Sequence, residues 1–153
     1  MSARAHSTLF TPSEICAATG ASPRLQAQRW AHHVYEPSVG DTIPRGYGDA
    51  RGATPETVYR IAITEECAKA GVHIRKSKNA AALFAEDQHG RRANTLFPTG
   101  RSLLTISNNS AAIINAPFDA LLTDVCRQPG FVIDLGPIIT EVTSKLAQLK
   151  RKQ

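Results

Sequence analysis

Cysteine is scarce in this chain, and long apolar runs are missing. The three cysteines, Cys16, Cys67 and Cys126, are odd in number and far apart, which argues against a disulfide framework and favours a reducing compartment. No stretch approaches the roughly 18 apolar residues that a membrane-spanning helix needs. Residues 1–10 lack the apolar segment and cleavage site of a secretory signal. We therefore expect a cytoplasmic protein that does not associate with a membrane.

Motifs that support catalysis are also missing. The sequence has no glycine-rich phosphate loop, no nucleophile elbow and no H-E-x-x-H. Asp119, Asp124 and Asp134 are interpreted as a helix-start acid, a helix-surface residue and a strand-end residue rather than as paired catalytic carboxylates. We expect no enzymatic activity and no cofactor.

The residues that could bind a metal ion are not spaced along the sequence as a metal site requires. Thiolate sites need close pairs such as C-x₂-C, whereas Cys16 and Cys67 are isolated near apolar helix positions and are interpreted as small core residues. His32, His33 and Glu36 are close in sequence, but neighbouring residues on a helix point about 100° apart. The prediction is that the protein has no metal site.

The composition is that of a folded chain with a mild basic excess. Hydrophobic residues make up 42% and charged residues 20%, which excludes a largely disordered protein. Eighteen Lys and Arg residues against 13 Asp and Glu residues give a net charge of +5. This excess is spread along the chain and permits an anionic partner. Any conclusion about nucleic acid must therefore rest on motifs.

Two short helices are predicted near the start. Thr11 is suited to be the N-cap of the first helix, with Pro12 at its first position and Glu14 as the capping-box acid. Gly20 ends this helix. Ser22 and Pro23 repeat the start signal for a second helix over residues 24–33. Its predicted inward stripe has helical spacing and consists of Ala27, Trp30, Ala31 and Val34. Two such helices joined by a glycine turn make a helix-turn-helix candidate.

Residues 34–52 are rich in Gly, Pro and Tyr and predict either a short hairpin or an extended loop, with strand fragments at residues 34–35 and 42–43. Thr54 and Pro55 then open a third helix that runs to Gly71. A fourth helix is predicted to start at Ser77 and to carry Ala81, Ala82, Phe84 and Ala85. Residues 88–92 are interpreted as a polar connector between two modules, 9–88 and 93–153.

The order and spacing of these segments resemble the winged helix-turn-helix of the MerR superfamily of bacterial regulators, over about residues 9–85. The matching segments are FTPSEICAATGASPR, the Arg29–Trp30 pair, PRGYGDARG and TPETVYRIAITEECAKAGV. The resemblance implies a DNA-binding domain whose second helix enters the major groove and whose hairpin is a wing.

Arg and Gln suit such a helix because each can form paired hydrogen bonds with a base edge. In the wing, arginine and tyrosine side chains can contact the sugar-phosphate backbone. The predicted DNA-binding residues are Arg24, Gln26, Gln28, Arg29, His32, His33, Arg45, Tyr47 and Arg51. The alternative for this set is a solvated helix face and a surface loop.

Trp30 is expected in the core rather than stacked on a base. The basic residues Lys150, Arg151 and Lys152 could touch phosphate, but more often such residues complement the helix dipole.

Residues 93–153 predict a β-β-α-β-α module. The strands are expected at 102–107, 112–115 and 131–135, and the helices at 119–125 and 137–150. The last helix has an apolar stripe, which is predicted to form a dimer interface and consists of Ile138, Val142, Leu146 and Leu149. The fold class expected is thus α+β, with a mostly helical winged helix-turn-helix followed by this smaller module.

We expect a sequence-specific transcriptional regulator that binds double-stranded DNA as a homodimer, because two-fold pairing doubles the contacts on a palindromic site. The C-terminal module could also bind a protein partner. Two alternatives remain open. One is a phage or plasmid architectural factor, such as an excisionase or a small packaging subunit. The other is a protein–protein module, for instance an anti-activator that does not touch DNA.

Overall fold

A computed structural model of the chain describes residues 8–44, 51–121 and 130–153. Over these residues the fold is α+β, as predicted, with five α-helices and a three-stranded antiparallel sheet. No helix in this part of the chain is both long and apolar enough to cross a bilayer. The helices are α1 (Pro12–Thr19), α2 (Pro23–Ala31), α3 (Pro55–Lys69), α4 (Ile74–Ala82) and α5 (Leu135–Lys150), with a 3-10 turn at Leu83–Ala85. The strands are β1 (Arg101–Ser107), β2 (Ala111–Ala116) and β3 (Gly130–Asp134).

Helix α1 begins and ends at the residues that the sequence indicates. The hydroxyl of Thr11 accepts a hydrogen bond from the backbone N–H of Glu14 at 3.3 Å, and the Glu14 carboxylate accepts one from the backbone N–H of Thr11 at 3.1 Å. This reciprocal pair satisfies two N–H groups that the helix cannot pair by itself. Gly20 follows with φ 80°, the left-handed conformation that glycine adopts without a side-chain penalty.

Helix α2 starts as predicted and is shorter. Ser22 caps it by accepting a hydrogen bond from the backbone N–H of Leu25 at 3.1 Å. The helix ends at Ala31, with His32 as its C-cap, and His33 adopts φ 56°. A residue in the left-handed region cannot continue the helix, so the helix does not reach the predicted end at residue 33.

Helix α3 matches its prediction closely, whereas the predicted start of α4 at Ser77 is wrong. α4 begins at Ile74, and the ring Nδ1 of His73 accepts a hydrogen bond from the backbone N–H of Arg75 at 3.3 Å. Ser77 is fully buried, and its hydroxyl donates to the carbonyl of His73 at 3.1 Å. Histidine is an uncommon N-cap, which is why the sequence favours the serine as the start.

The sheet has strand order β2-β1-β3, with both neighbours antiparallel to the central β1. Leu104 of β1 lies opposite Ile113 of β2 and Ile133 of β3. The three strands fall within one or two residues of their predicted positions. The helix predicted over 119–125 lies mainly outside the described residues.

Two apolar clusters hold the elements together, and α5 contributes to both. One cluster joins α1 and α3 through residues such as Ile15, Val58 and Ile61, and it includes Val142 and Leu146 of α5. The second joins α3, α4 and the sheet, and it includes Leu135 and Ile139 of α5. Helix α5 therefore fixes the sheet relative to the N-terminal helices.

This packing corrects the predicted dimer interface. Val142 and Leu146 are 3% and 5% exposed, and Ile138 and Leu149 are partly buried against the same cluster. Helices α1 and α3 of the same chain contact α5. The four residues are therefore occupied within one chain and do not form a free stripe for a second copy.

The predicted connector at residues 88–92 is a structured turn around a buried arginine. Gln88 and Arg91 exchange two backbone hydrogen bonds, at 3.1 and 2.9 Å. The Arg91 side chain is 3% exposed. Its guanidinium donates hydrogen bonds of 2.9–3.1 Å to five backbone carbonyls, those of Leu83, Phe84, Glu86, Arg92 and Thr95.

Candidate nucleic-acid interface

The inward side of α2 carries both apolar and polar side chains, and the predicted apolar stripe is correct only in part. Val34 is buried, and Trp30 packs partly buried against the same core cluster. Ala27 and Ala31 are exposed, whereas Gln26 is 2% exposed. The Gln26 side-chain amide donates to the carbonyls of Pro12 at 2.9 Å and Ala21 at 2.7 Å. Burying an amide is tolerated when its donors are satisfied, so Gln26 fastens α2 to α1. Gln26 therefore does not belong to the exposed set predicted to contact DNA.

Arg29, also predicted to contact DNA, instead forms an ion pair with a buried acid. Its guanidinium donates two hydrogen bonds to the Glu65 carboxylate, at 2.9 and 3.3 Å, and Glu65 is 5% exposed. The hydroxyl of Tyr35 donates to the same carboxylate at 2.6 Å. The hydrogen bonds to Glu65 raise the pKa of Arg29. Burial, followed by the bond to Glu65, raises the pKa of Tyr35. This network joins α2 to α3. In it, the buried carboxylate of Glu65 is paired with the guanidinium of Arg29 and the hydroxyl of Tyr35.

The rest of the predicted set lies on the outward face of α2 and in the turn that follows the helix. Arg24 and Gln28 of α2, and His32 and His33 after it, are all exposed. Arg24 and Gln28 are four residues apart and therefore lie on one side of the helix. Ala27 and Ala31 are exposed next to them. Small apolar side chains next to Arg and Gln allow close approach of a flat surface such as a base-pair edge.

The remaining wing residue that the structure describes, Arg51, packs against α2. Its guanidinium carbon lies 3.9 Å from the centre of the Trp30 ring, a cation–π arrangement. Trp30 in turn meets Tyr35 edge to face, with ring centres 5.5 Å apart. Trp30 is partly buried: its side chain packs against the core and also lines a hollow on the surface. Burial lowers the pKa of Arg51.

This hollow lies between α2 and the start of the hairpin. Its walls include the first residues of α1 and α2 and the exposed alanines of α2. The lining residues are Pro12, Pro23, Gln26, Ala27, Trp30, Ala31, Pro44 and Arg51. The hollow places Pro44 and Arg51, at the base of the predicted wing, beside the side of α2 that carries Trp30 and Ala31.

Backbone pairing closes the base of the predicted hairpin. Thr42 and Gly52 exchange two backbone hydrogen bonds, at 2.8 and 3.3 Å, and Phe10 pairs with Ala53 in the same way. The strand fragment predicted at residues 42–43 therefore includes a paired residue. The one predicted at residues 34–35 is wrong, because these two residues turn into the core directly after α2. Arg45 and Tyr47, both predicted to contact phosphate, lie outside the described residues.

Asp41 ties this hairpin to the start of α3. Its carboxylate accepts the backbone N–H groups of Ser38 at 2.7 Å and Thr54 at 2.8 Å, and the Thr57 hydroxyl at 2.7 Å. Burial alone would raise the pKa of Asp41, but these hydrogen bonds outweigh it and lower the pKa. Arg60 donates to the Ser38 hydroxyl at 2.6 Å and extends the network.

The turn after α2 is anchored by α4. Lys78 donates to the backbone carbonyl of His33 at 2.9 Å and to the Glu36 carboxylate at 2.6 Å. The bond to Lys78 lowers the pKa of Glu36. This pairing directs Glu36 toward Lys78, while His32 and His33 remain exposed.

The other groups considered from the sequence are structural in this part of the chain. Among the described residues no three His, Cys, Asp or Glu side chains converge as a metal site would require. Cys67 is buried, and burial raises the pKa of its thiol to about 11, while Cys16 is partly exposed. Asp134 caps α5 and pairs with Arg101 at 3.1 Å. Asp119 is exposed, and Asp124 and Cys126 lie outside the described residues.

Sequence reasoning missed Glu65, Tyr35 and Asp41 as organising residues. For Glu65 a signal existed, since an acid four residues after Ile61 falls on the apolar face of α3. A carboxylate at such a position needs a cation or hydroxyl partner. No comparable pattern marks Asp41.

Comparison with known proteins adds no family assignment. No protein-family model matches the chain, and no curated protein matches it.

Proposed function

We propose that residues 9–85 form a winged helix-turn-helix that binds double-stranded DNA, and that the protein is a sequence-specific transcriptional regulator. The observation that carries this proposal is the two-sided character of α2. Gln26 and Arg29 hold its inner side against α1 and α3, while Arg24 and Gln28 project from its outer side. A helix fixed in this way offers a rigid face to the major groove.

The wing is the second part of the proposal. The Thr42–Gly52 pairing and the contact of Arg51 with Trp30 hold the base of the hairpin beside α2. We propose that Arg45 and Tyr47, which lie between these paired residues in the sequence, contact the sugar-phosphate backbone next to the groove that α2 enters. Such contacts position the protein, whereas Arg24 and Gln28 distinguish bases.

The direct test is selection of bound duplexes from a random DNA pool, followed by fluorescence anisotropy on the selected sequence and on a scrambled one. We expect preferential binding to the selected duplex, with log K falling linearly with log salt concentration because phosphate contacts release counterions. Failure to bind any duplex at low salt would contradict the proposal and favour the protein–protein alternative. Protection of several clustered sites with bending of the DNA would favour an architectural factor instead.

We further propose that the protein binds as a homodimer. A single short helix contacts few bases, and a palindromic site doubles them. The surface that pairs must be one other than the α5 stripe, which is occupied within the chain. Sedimentation with and without the selected duplex tests the stoichiometry, and a single copy on a non-palindromic site would contradict this part.

A further inference from the structure

Three consecutive basic residues at the end of α5 lie beside the start of α1. The side-chain amide of Gln153 donates a hydrogen bond to the Glu14 carboxylate at 2.8 Å. Residues 150–152, which we call the basic segment, are Lys150, Arg151 and Lys152, and all three are exposed. Packing of Leu146 and Leu149 against the cluster that includes Ile15 holds α5 along α1. The tertiary structure thus joins two segments that are 139 positions apart in sequence.

The start of α1 also lies beside α2. Pro12, in the first turn of α1, lines the hollow together with Pro23, Ala27 and Arg51. Glu14 belongs to the same turn but points about 200° away from Pro12, at about 100° per residue. The basic segment, whose neighbour Gln153 contacts Glu14, is therefore placed on the side of α1 that faces away from the hollow.

Within the described part of the chain, the basic segment has no acidic partner. No carboxylate of these residues lies within 4.0 Å of Lys150, Arg151 or Lys152, whereas Lys145, earlier in α5, pairs with Glu141 at 2.7 Å. Glu14, which Gln153 contacts, is already bonded to the backbone N–H of Thr11. Three such cations in a row suit a polyanion better than they suit a single carboxylate.

We infer that the basic segment binds the DNA sugar-phosphate backbone at the outer edge of the site, beyond the groove that α2 enters. This inference rests on the proposed function. It adds a contact from the C-terminal part of the chain that the N-terminal helices cannot supply. Because lysine and arginine bind phosphate without reading bases, the contact adds affinity and no sequence preference.

The test compares the whole chain with two triple variants of equal charge. The first carries Lys150→Gln, Arg151→Gln and Lys152→Gln. The control carries Lys69→Gln, Lys76→Gln and Arg92→Gln, three exposed cations at the end of α3, on α4 and after Arg91. Circular dichroism checks that both variants fold. Anisotropy then gives the affinity for the selected and scrambled duplexes between low and moderate salt, and hydroxyl-radical footprinting maps the protected sugars.

We expect the first variant to bind both duplexes about tenfold more weakly, with the salt slope reduced by about 1 for each phosphate that is no longer neutralised. Protection at the outer edge of the footprint should disappear while the centre remains. The control should change affinity less and keep the full footprint. Equal losses of affinity in both variants, or an unchanged edge in the first, would overturn the inference while leaving the proposed function intact. A wild-type chain that binds no duplex would overturn both.

Discussion

The carboxylate of Glu65 receives two hydrogen bonds from the guanidinium of Arg29, at 2.9 and 3.3 Å, and thereby ties α2 to α3. The same carboxylate accepts the hydroxyl of Tyr35 at 2.6 Å. Together with the hydrogen bonds of Gln26 to the carbonyls of Pro12 and Ala21, this acid sets the orientation of α2 and so the face that the helix exposes. The Arg29–Glu65 pair therefore supports the candidate DNA interface from the inner side of α2.

Removing Glu65 should be costly for stability. Glu65→Ala leaves the partly buried Arg29 charge and the Tyr35 hydroxyl without an acceptor, and we expect a loss of about 3 kcal/mol in the free energy of unfolding. Urea denaturation measures it. Glu66→Ala is the matched control, because its pair with Lys69 is exposed and should contribute less than about 1 kcal/mol. Similar effects of the two substitutions would show that the buried network does not stabilise the fold.

The stability of the hairpin base should depend on pH through Asp41. Its folded-state pKa is lowered, so the folded state binds a proton less readily than the unfolded chain. The stabilisation is therefore present above the unfolded pKa of about 4 and is lost as pH falls from there toward the folded pKa. Asp41→Asn should lower stability at neutral pH by about 2 kcal/mol and flatten this acid dependence. Thermal unfolding at several pH values measures both, and an unchanged acid slope in the variant would contradict the assignment.

We expect that replacing Arg91 by lysine lowers the stability of the fold. A lysine carries the same charge but lacks the planar set of donors that reaches five carbonyls. We expect Arg91→Lys to destabilise the protein by about 2–3 kcal/mol, because several buried carbonyls lose their donors. The neighbouring and exposed Arg92 provides the control, since Arg92→Lys should stay within about 0.5 kcal/mol. Equal denaturation midpoints for the two variants would show that the carbonyls find other partners.

Arg24 is the sharpest test of base recognition. Arg24→Ala should weaken binding to the selected duplex by about 1–3 kcal/mol and binding to scrambled DNA by less, because the variant cannot form paired hydrogen bonds with a base edge. Arg75→Ala removes an exposed arginine from α4 and should affect both duplexes alike and only slightly. Anisotropy with both duplexes measures the difference. If Arg24→Ala weakens both equally, Arg24 contacts the backbone and another residue reads the sequence.

Local signals account for most element positions. Thr11, Gly20 and Ser22 determine where α1 and α2 begin or end, because capping depends only on neighbouring backbone groups. The apolar runs on either side of the Asn108–Asn109 turn indicate β1 and β2 in the same local way. The start of α4 was mispredicted, since an unusual cap, His73, replaces the expected serine.

The α+β class and the succession of helices and strands can be predicted from the residues alone, because they follow from hydrogen bonding and apolar spacing within a few residues. Which side of α2 is buried, and that α5 packs within its own chain instead of forming a free stripe, emerge from the folded arrangement. Both choices depend on partners far away in sequence. The inward placement of Gln26 and Arg29 depends on acceptors for their side-chain N–H groups, which are carbonyls in and after α1 for Gln26 and the carboxylate of Glu65 for Arg29. No local pattern records the presence of such partners.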